Sequence, residues 1–405
     1  MSFQIEKIFP YKAPDRWLYV LIMLVWVPAI GRLLNAVFLR IPVLAIIGSE
    51  MQHIATAIAA LASWQYLRDK IKFADGLFYC FCFCVYLLSY AFYPQNAKQL
   101  NEYFVDVLIL SIPAFFVGLV WDINKFDKFL YAVSVFSICY SAYTFLFYAQ
   151  NVKGGFDEEE YHMGASYALL PQVIYITWHL LRRFRIDTLC VFLLGVFMLL
   201  SFGTRGPMIC FLTFIVLFCL FLNDSKYKKI TIGVILAIYS LIIYFLESIL
   251  LFFAEFLPSL GMSDRIFTHM LFDEGLDDSG RSIIQSTLET EMQYAPWHGY
   301  GLFGTYRFVN NYAHRIDIDF LFSFGVFFGS ALLFVLFALI VKAFIESNRI
   351  EKGFLLILFC SSIVKLLFSG LYLFDTLFFL MIGFCISSIR KSFFANRSID
   401  LQDNK

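Results

Sequence analysis

Residues able to do chemistry are sparse in this chain and gather in a few short stretches. The stretch "NNYAHRIDIDF", residues 310–320, sets His314, Arg315, Asp317 and Asp319 at the threshold of an apolar run that continues from Leu321 through Gly329. An imidazole with an ordinary pKa of ~6.5 can take a proton from a hydroxyl near neutral pH. A guanidinium is always charged, and its planar fork matches phosphate oxygens. Asp317 and Asp319 suit the positive end of a helix beginning near Asp317; alternatively, Asp317 orients the imidazole. In "LLSFGTRGPMICF", Arg205 sits in a tight connection where it either snorkels to an interface or grips an anion, and Pro207 suits the first position of the next helix. In "DDSGRSIIQSTLETEMQY", Asp278 or Ser279 can cap a helix that carries Ile284, Leu288 and Met292 on one stripe and stops before Pro296. Arg281 then falls in the first turn, where a cation opposes the helix dipole unless Asp277 or Asp278 pairs with it or an anion binds there. Arg205, Arg281 and Arg315 together would make a diphosphate site, with His314 as base and His298 as the fallback.

The elements that must position these groups are membrane helices. Sixty per cent of the 405 residues are apolar, 50 are Phe and 15% are charged, against ~25% charged in soluble domains. Apolar runs long enough to cross ~30 Å of hydrocarbon follow one another almost to the end. They predict an all-α integral membrane protein of about twelve transmembrane helices, near 17–38, 43–65, 73–93, 103–121, 128–149, 164–181, 186–202, 206–223, 230–253, 317–341, 353–369 and 372–389. Residues 1–405 read as one polytopic domain with no cleavable signal peptide, the first span staying as an anchor. About two thirds of the 31 Lys and Arg fall on one side of that topology, which places both termini in the cytoplasm. Arg205, Arg265, Arg281, Arg307 and Arg315 break that charge rule on the other side.

The large extracytoplasmic loop between spans 9 and 10, residues 254–316, holds most of these groups, and its short amphipathic helix is expected to lie on the membrane surface. Asp157 to Glu160 form a second, acidic loop that reads as a solvated face. Gly299, Gly301 and Gly304 in "HGYGLFG" spell G-x-G-x-x-G but lie between membrane spans, so they predict a turn bringing backbone close to a neighbour and no nucleotide site. Arg32, Glu50, His53, Asp106, Glu247, Lys365 and Asp375 fall within spans and must face the bundle interior or an interface; Lys365 and Asp375 can pair. All nine cysteines lie in apolar runs, as small core hydrophobes. The net charge is zero with no basic stripe, which gives nucleic-acid binding no support.

A short "SFGTRG" connection, a long loop with "SGR", then "PWHGYGLFG" and "AHRIDIDFLFSFGVFFG" occur in that order. Together they resemble the bacterial O-antigen polymerase/ligase superfamily of C-type glycosyltransferases. There a stretch of the form A-H-N precedes a helix with one glycine about eleven residues after the histidine and another four later, the spacing of His314, Gly325 and Gly329. Arg315 stands where that pattern has asparagine, a departure that sits less well with a ligase than with a polymerase.

The resemblance implies metal-independent, cofactor-free polymerisation of undecaprenyl-diphosphate-linked oligosaccharide repeat units at the periplasmic face of a bacterial inner membrane. Arg205 and Arg281 would hold the diphosphate and His314 would be the base, with Asp317, Asp319, His298 and Arg265 as candidates to orient the base or bind sugar. A chain-length regulator and a flippase are the partners it suggests, besides membrane lipid. Fixed cations aimed at the leaving diphosphate favour the transition state, and arginines near an imidazole keep it unprotonated. The alternatives are an O-antigen ligase transferring glycan to lipid A core and, from another class, a flippase of the same lipids. A flippase would favour internal symmetry and mid-membrane binding groups, which the sequence does not display.

Overall fold

The computed structural model describes residues 13–27, 30, 51–151, 163–201, 205–222, 246–259, 281–294 and 297–403, and no strand occurs among them. In chain order the helices are α1 (Ala13–Trp26), α2 (Met51–Ala62), α3 (Trp64–Lys70), α4 (Phe73–Phe92), α5 (Ala97–Glu102), α6 (Ala114–Val120), α7 (Ile123–Asn151) and α8 (Met163–Arg182). There follow α9 (Ile186–Ser201), α10 (Arg205–Phe221), α11 (Leu246–Ser259), α12 (Arg281–Gln293), α13 (Tyr306–Val309), α14 (Ile316–Glu346), α15 (Arg349–Phe359) and α16 (Thr376–Asp403). Two π-helical turns interrupt the pattern, at Asp106–Ser111 and Cys360–Val364. The chain, read from sequence as one domain, divides into two compact units: residues 1–130 with 280–405, and residues 131–279.

Three of the described helices, Phe73–Phe92, Ile316–Glu346 and Thr376–Phe393, are long and apolar enough to cross a membrane. Counting the bent pair Pro94–Glu102 and Asp106–Val120, which meet at 59°, gives four. The expected stretches at 73–93, 128–149, 164–181, 186–202, 206–223 and 317–341 each coincide with a helix. The stretch at 353–369 falls on α15 and the π-helical turn that continues it. Parts of 17–38, 43–65 and 230–253 lie outside the described residues, as do the acidic loop 157–160, Arg32 and Glu50. Helix α10 begins two residues earlier than expected, at Arg205, so Pro207 sits inside its first turn.

In the first unit α6 and α16 pack backbone to backbone. A Cβ on Gly118 would come 2.1 Å from the Leu380 carbonyl oxygen, and one on Gly383 2.0 Å from that of Phe115. Such small-residue crossings gain dispersion contacts where lipid supplies no hydrophobic drive between helices. Beside them Trp121 and Phe354 stack at 5.2 Å, and Trp26 and Phe354 at 5.6 Å. In the second unit α8, α9 and the later part of α7 share an apolar interior containing Val173, Ile174 and Ile138, all fully buried. There the Tyr131 hydroxyl meets the Thr188 hydroxyl at 2.9 Å.

Helix α14 is broken. Gly325 has φ 78° and ψ 165°, a conformation open almost only to glycine, and the helical path resumes after it. The carbonyls released just before the break accept hydrogen bonds from the glycine-rich loop: Tyr300 N–H donates to Phe322 O at 2.8 Å and Gly301 N–H to Ser323 O at 3.0 Å. Asn96 Nδ2 holds the same loop from the other side, donating to the carbonyls of Tyr300 and Leu302 at 2.9 Å each. The loop therefore does bring backbone close to a helix, and the helix is the interrupted span itself.

Candidate functional site

Helix α12 forms where the sequence placed it, but its apolar stripe faces protein. Leu288, fully buried, packs with Ala313, Ile318 and Phe322, and Ile284, Tyr300, Phe308 and Val309 close around them. This corrects the expectation of a helix whose greasy face lies on the membrane surface. The stripe is covered by the start of α14 and by the loop, a burial whose loss in Leu288→Ala would cost about 2–5 kcal/mol. That cluster ties the first turn of α12 to the segment before α14, so it sets Arg281 and His314 in one framework. The cap residues Asp278 and Ser279, and Asp277, lie outside the described residues.

His314 is 8% exposed and sits at φ 57°, in the left-handed region that few non-glycine residues occupy. Its ring lies 4.2 Å, centroid to centroid, from that of Tyr312. Nδ1 has no hydrogen-bond partner among the described residues. Burial, with the charge of Arg281 adding to it, pushes the imidazole pKa down to about 4. The imidazole is thus neutral near pH 7, through burial first and the charge of Arg281 second.

Arg281 is the first residue of α12, and its Nη1 donates to the Phe368 carbonyl at 2.8 Å. Lys365 Nζ, at the end of the π-helical turn, meets Asp375 Oδ2 at 2.8 Å, so these two residues do pair. Tyr312 feels the charges of both cations. Burial raises its phenol pKa, while a hydrogen bond with Ser369 and the charges of Arg281 and Lys365 act the other way. Beneath this group Asp319 is 1% exposed; its Oδ1 accepts from the Ala313 N–H at 3.3 Å, and its Oδ2 has no partner among the described residues.

Among the remaining candidates, Arg315, Asp317 and His298 have partners of their own. Arg315 is clamped by Asp317 through two hydrogen bonds, at 2.6 and 3.2 Å, and its Nη1 lies 3.6 Å from Glu289. Asp317 therefore serves Arg315. His298 Nδ1 meets the Tyr93 hydroxyl at 2.7 Å, and its ring neighbours are Tyr93 and Trp297. Arg205 opens α10 in the second unit; its side chain, like the whole of Arg265, lies outside what is described. Sequence reasoning missed Tyr312 and Ser369 and gave Lys365 no more than a partner. The signal for Lys365 was present, since an ionisable residue in an apolar run is a site candidate by default.

An apolar cavity of about 630 Å³ opens between α4, α14 and α16. Phe81, Leu88, Phe328, Leu336 and Ile382 line its length, and it reaches His298 and Tyr93 as well as Phe320, Ser323 and Tyr372. Phe320 and Ser323 follow Asp319 by one and four residues on α14, so the cavity runs up to the turn that carries the buried carboxyl. Searches of family models, of curated proteins and of solved structures find no match to this chain.

Proposed function

We propose that this chain is a glycosyltransferase that polymerises undecaprenyl-diphosphate-linked oligosaccharide repeat units into O-antigen or capsule polysaccharide at the periplasmic face of a bacterial inner membrane. The observation that carries the reading is the meeting of Arg281 and a neutral, buried His314, from segments thirty-odd residues apart, beside a second cation at Lys365. The neighbouring cavity supports it, because an isoprenoid tail needs an apolar bed while its diphosphate needs cations at the rim. The motif order that resembles the O-antigen polymerase/ligase superfamily supports it independently.

In the reaction an acceptor hydroxyl oxygen attacks the anomeric carbon of the donor glycan. The bond from that carbon to the diphosphate oxygen breaks, and undecaprenyl diphosphate leaves with the electron pair. His314 takes the hydroxyl proton on a ring nitrogen. An imidazole held near pKa 4 is a weak base in the empty site. A bound diphosphate offsets the charge of Arg281 and adds anionic charge of its own, and both raise the basicity of His314 when there is work for it. Arg281 stabilises the charge that grows on the leaving group. No metal or cofactor enters this scheme.

The test is removal of the gene followed by electrophoresis of surface glycolipids. Single repeat units on lipid core are the expected result, and bare core would favour the ligase. Reintroduced Arg281→Ala, His314→Ala and Arg205→Ala chains, checked for membrane abundance, are expected to give no long polymer. Normal polymer length in all three would sink the assignment.

A further inference from the structure

The polar groups of the apolar cavity gather at one end. Helix α4 lines it from Phe78 to Tyr93, α14 from Phe320 to Leu339 and α16 from Phe378 to Ile386. Helix α4 ends at the glycine-rich loop, where the Tyr93 hydroxyl meets His298 at 2.7 Å. Helices α14 and α16 start beside that loop and run away from it: Tyr300 N–H donates to Phe322 O, and Phe374, two residues before α16, lies 5.7 Å from Phe303. Phe78, Leu339 and Ile386 therefore share the far end. Tyr93, His298, Ser323 and Tyr372 share the loop end, with Ser89 one turn of α4 below. Between the ends stand the Cys82 thiol and the ring of Tyr86, whose hydroxyl donates to the Leu100 carbonyl.

Phe78 and Tyr93 lie fifteen residues apart, about 22 Å along a helix axis. Spread over that length, 630 Å³ leaves a mean cross-section of about 30 Å², the girth of a single hydrocarbon chain. At the ~30 Å³ that a heavy atom takes in a liquid such as water, 630 Å³ holds about twenty carbons, or four isoprene units. The paired chains of a phospholipid would need twice the section. Helices α4, α14 and α16 are the three described helices long and apolar enough to cross a membrane, so what fills the space between them comes from the bilayer. Phe81, Leu88 and Phe328 line it while more than half exposed, which leaves a lateral way in. A hydrocarbon chain avoids the polar end and a polar head seeks it. That end also borders the histidine: Phe320 directly follows Asp319, whose carboxyl accepts the N–H of Ala313, the neighbour of His314.

Resting on the function proposed above, we infer that the cavity beds the carrier lipid by length and girth. It takes about four isoprene units next to the diphosphate, with the head at the Tyr93 and His298 end, and leaves the rest of the chain in the bilayer. The ligand class is a single-chain polyprenyl lipid. Moving such a chain from lipid into an equally apolar cavity gains little energy, so shape does the selecting, against the two-chain phospholipids around it.

The experiment places the full chain in phosphatidylglycerol nanodiscs with a twenty-carbon isoprenyl diphosphate that carries a diazirine on its last unit, and maps the photolabel by peptide mass spectrometry. The label is expected at the far end, around Phe78, Leu339 and Ile386. With the diazirine moved to the first unit, it is expected near His298, Ser323 and Tyr372. Phosphatidylglycerol labelled at the end of an acyl chain should instead mark Phe327 and Phe334, which face outward beside the cavity. Val85→Trp fills the middle of the cavity and is expected to cut far-end labelling by at least about tenfold. Leu87→Trp, on the same helix but off the cavity, should leave it unchanged. Far-end labelling of wild type by phosphatidylglycerol equal to that by the isoprenoid, or a terminal label confined to the loop end, overturns the inference whether or not the tryptophan variant folds. Either result leaves the polymerase reading standing, since that answers to the glycolipid gel. A gel without change brings the reading down, while the labelling pattern still identifies what occupies the cavity.

Discussion

Asp75 and Asp319 are buried almost equally, at 2% and 1% exposed, yet their surroundings are opposite. Asp75, in the first turn of α4, accepts the Lys72 N–H at 2.8 Å and is gripped by both Nη atoms of Arg390, at 2.5 and 2.8 Å. Nearby in sequence to Arg390, Lys391 pairs with Glu351, itself part of the cap of α15. Asp319, in the first turn of α14, has one long hydrogen bond and an oxygen with no partner among the described residues. His314, a few residues before it, has an unpartnered nitrogen and a left-handed backbone. Buried polar groups are normally satisfied, because an unmet one costs about 1–3 kcal/mol. The chain meets that requirement at Asp75 and leaves it unmet around His314 among the described residues.

The contrast can be broken at either end. The largest effect is expected from Gly325→Ala. Its Cβ would lie 1.8 Å from the Trp297 carbonyl oxygen at a φ that alanine resists, so thermal unfolding in detergent should show a loss of at least about 4 kcal/mol. Asp75→Ala comes next, at about 3 kcal/mol, because it leaves the Arg390 guanidinium without its carboxylate. A loss below 1 kcal/mol there would contradict the structural role given to the pair.

The pH dependence sharpens the comparison from the side of His314. Its folded pKa of about 4 lies below the unfolded ~6.5, so the two states bind protons equally above pH 6.5. Between pH 6.5 and 4 the unfolded chain gains a proton that the folded chain refuses, and stability falls by at most about 3 kcal/mol across that window. His314→Gln is expected to flatten this slope, and Arg281→Ala to shift its lower end to higher pH. An unchanged slope in His314→Gln would place the titration elsewhere.

Smaller changes distinguish the two carboxylates. Asp319→Asn keeps an oxygen for the Ala313 N–H and replaces a buried carboxyl by a neutral amide of the same shape, so stability should hold or rise by about 1 kcal/mol while the proposed polymer formation falls. Asp75→Asn has no such excuse and should destabilise. Least affected is Arg315→Met, at under about 1 kcal/mol, as befits a partly exposed pair.

Much of this was legible in the residues. Apolar runs marked the helices, Pro296 and the Ser-Gly-Arg stretch bracketed α12, and the interval from His314 to Gly325 and Gly329 singled out α14. What escaped was long-range. Nothing local distinguishes Gly325 from a glycine tolerated inside a helix until Trp297 and Gly299 press against it. The stripe on α12 could face lipid or protein, since both reward the same residues, and only Phe322 and Ala313 decide between them. The pairing of Arg315 with Asp317 and Glu289 also depends on neighbours that spacing alone does not reveal.

The interruption at Gly325 divides one span into two mechanical parts. The portion before it is bonded to the loop that frames His314, while the longer portion after it turns Phe327, Phe328, Phe334 and Phe337 outward. Hydrophobic mismatch is ordinarily met by tilting a whole helix. We expect the break at the glycine to confine such tilting to the part after it, so exchanging short-chain for long-chain phospholipid should leave the proposed turnover nearly level.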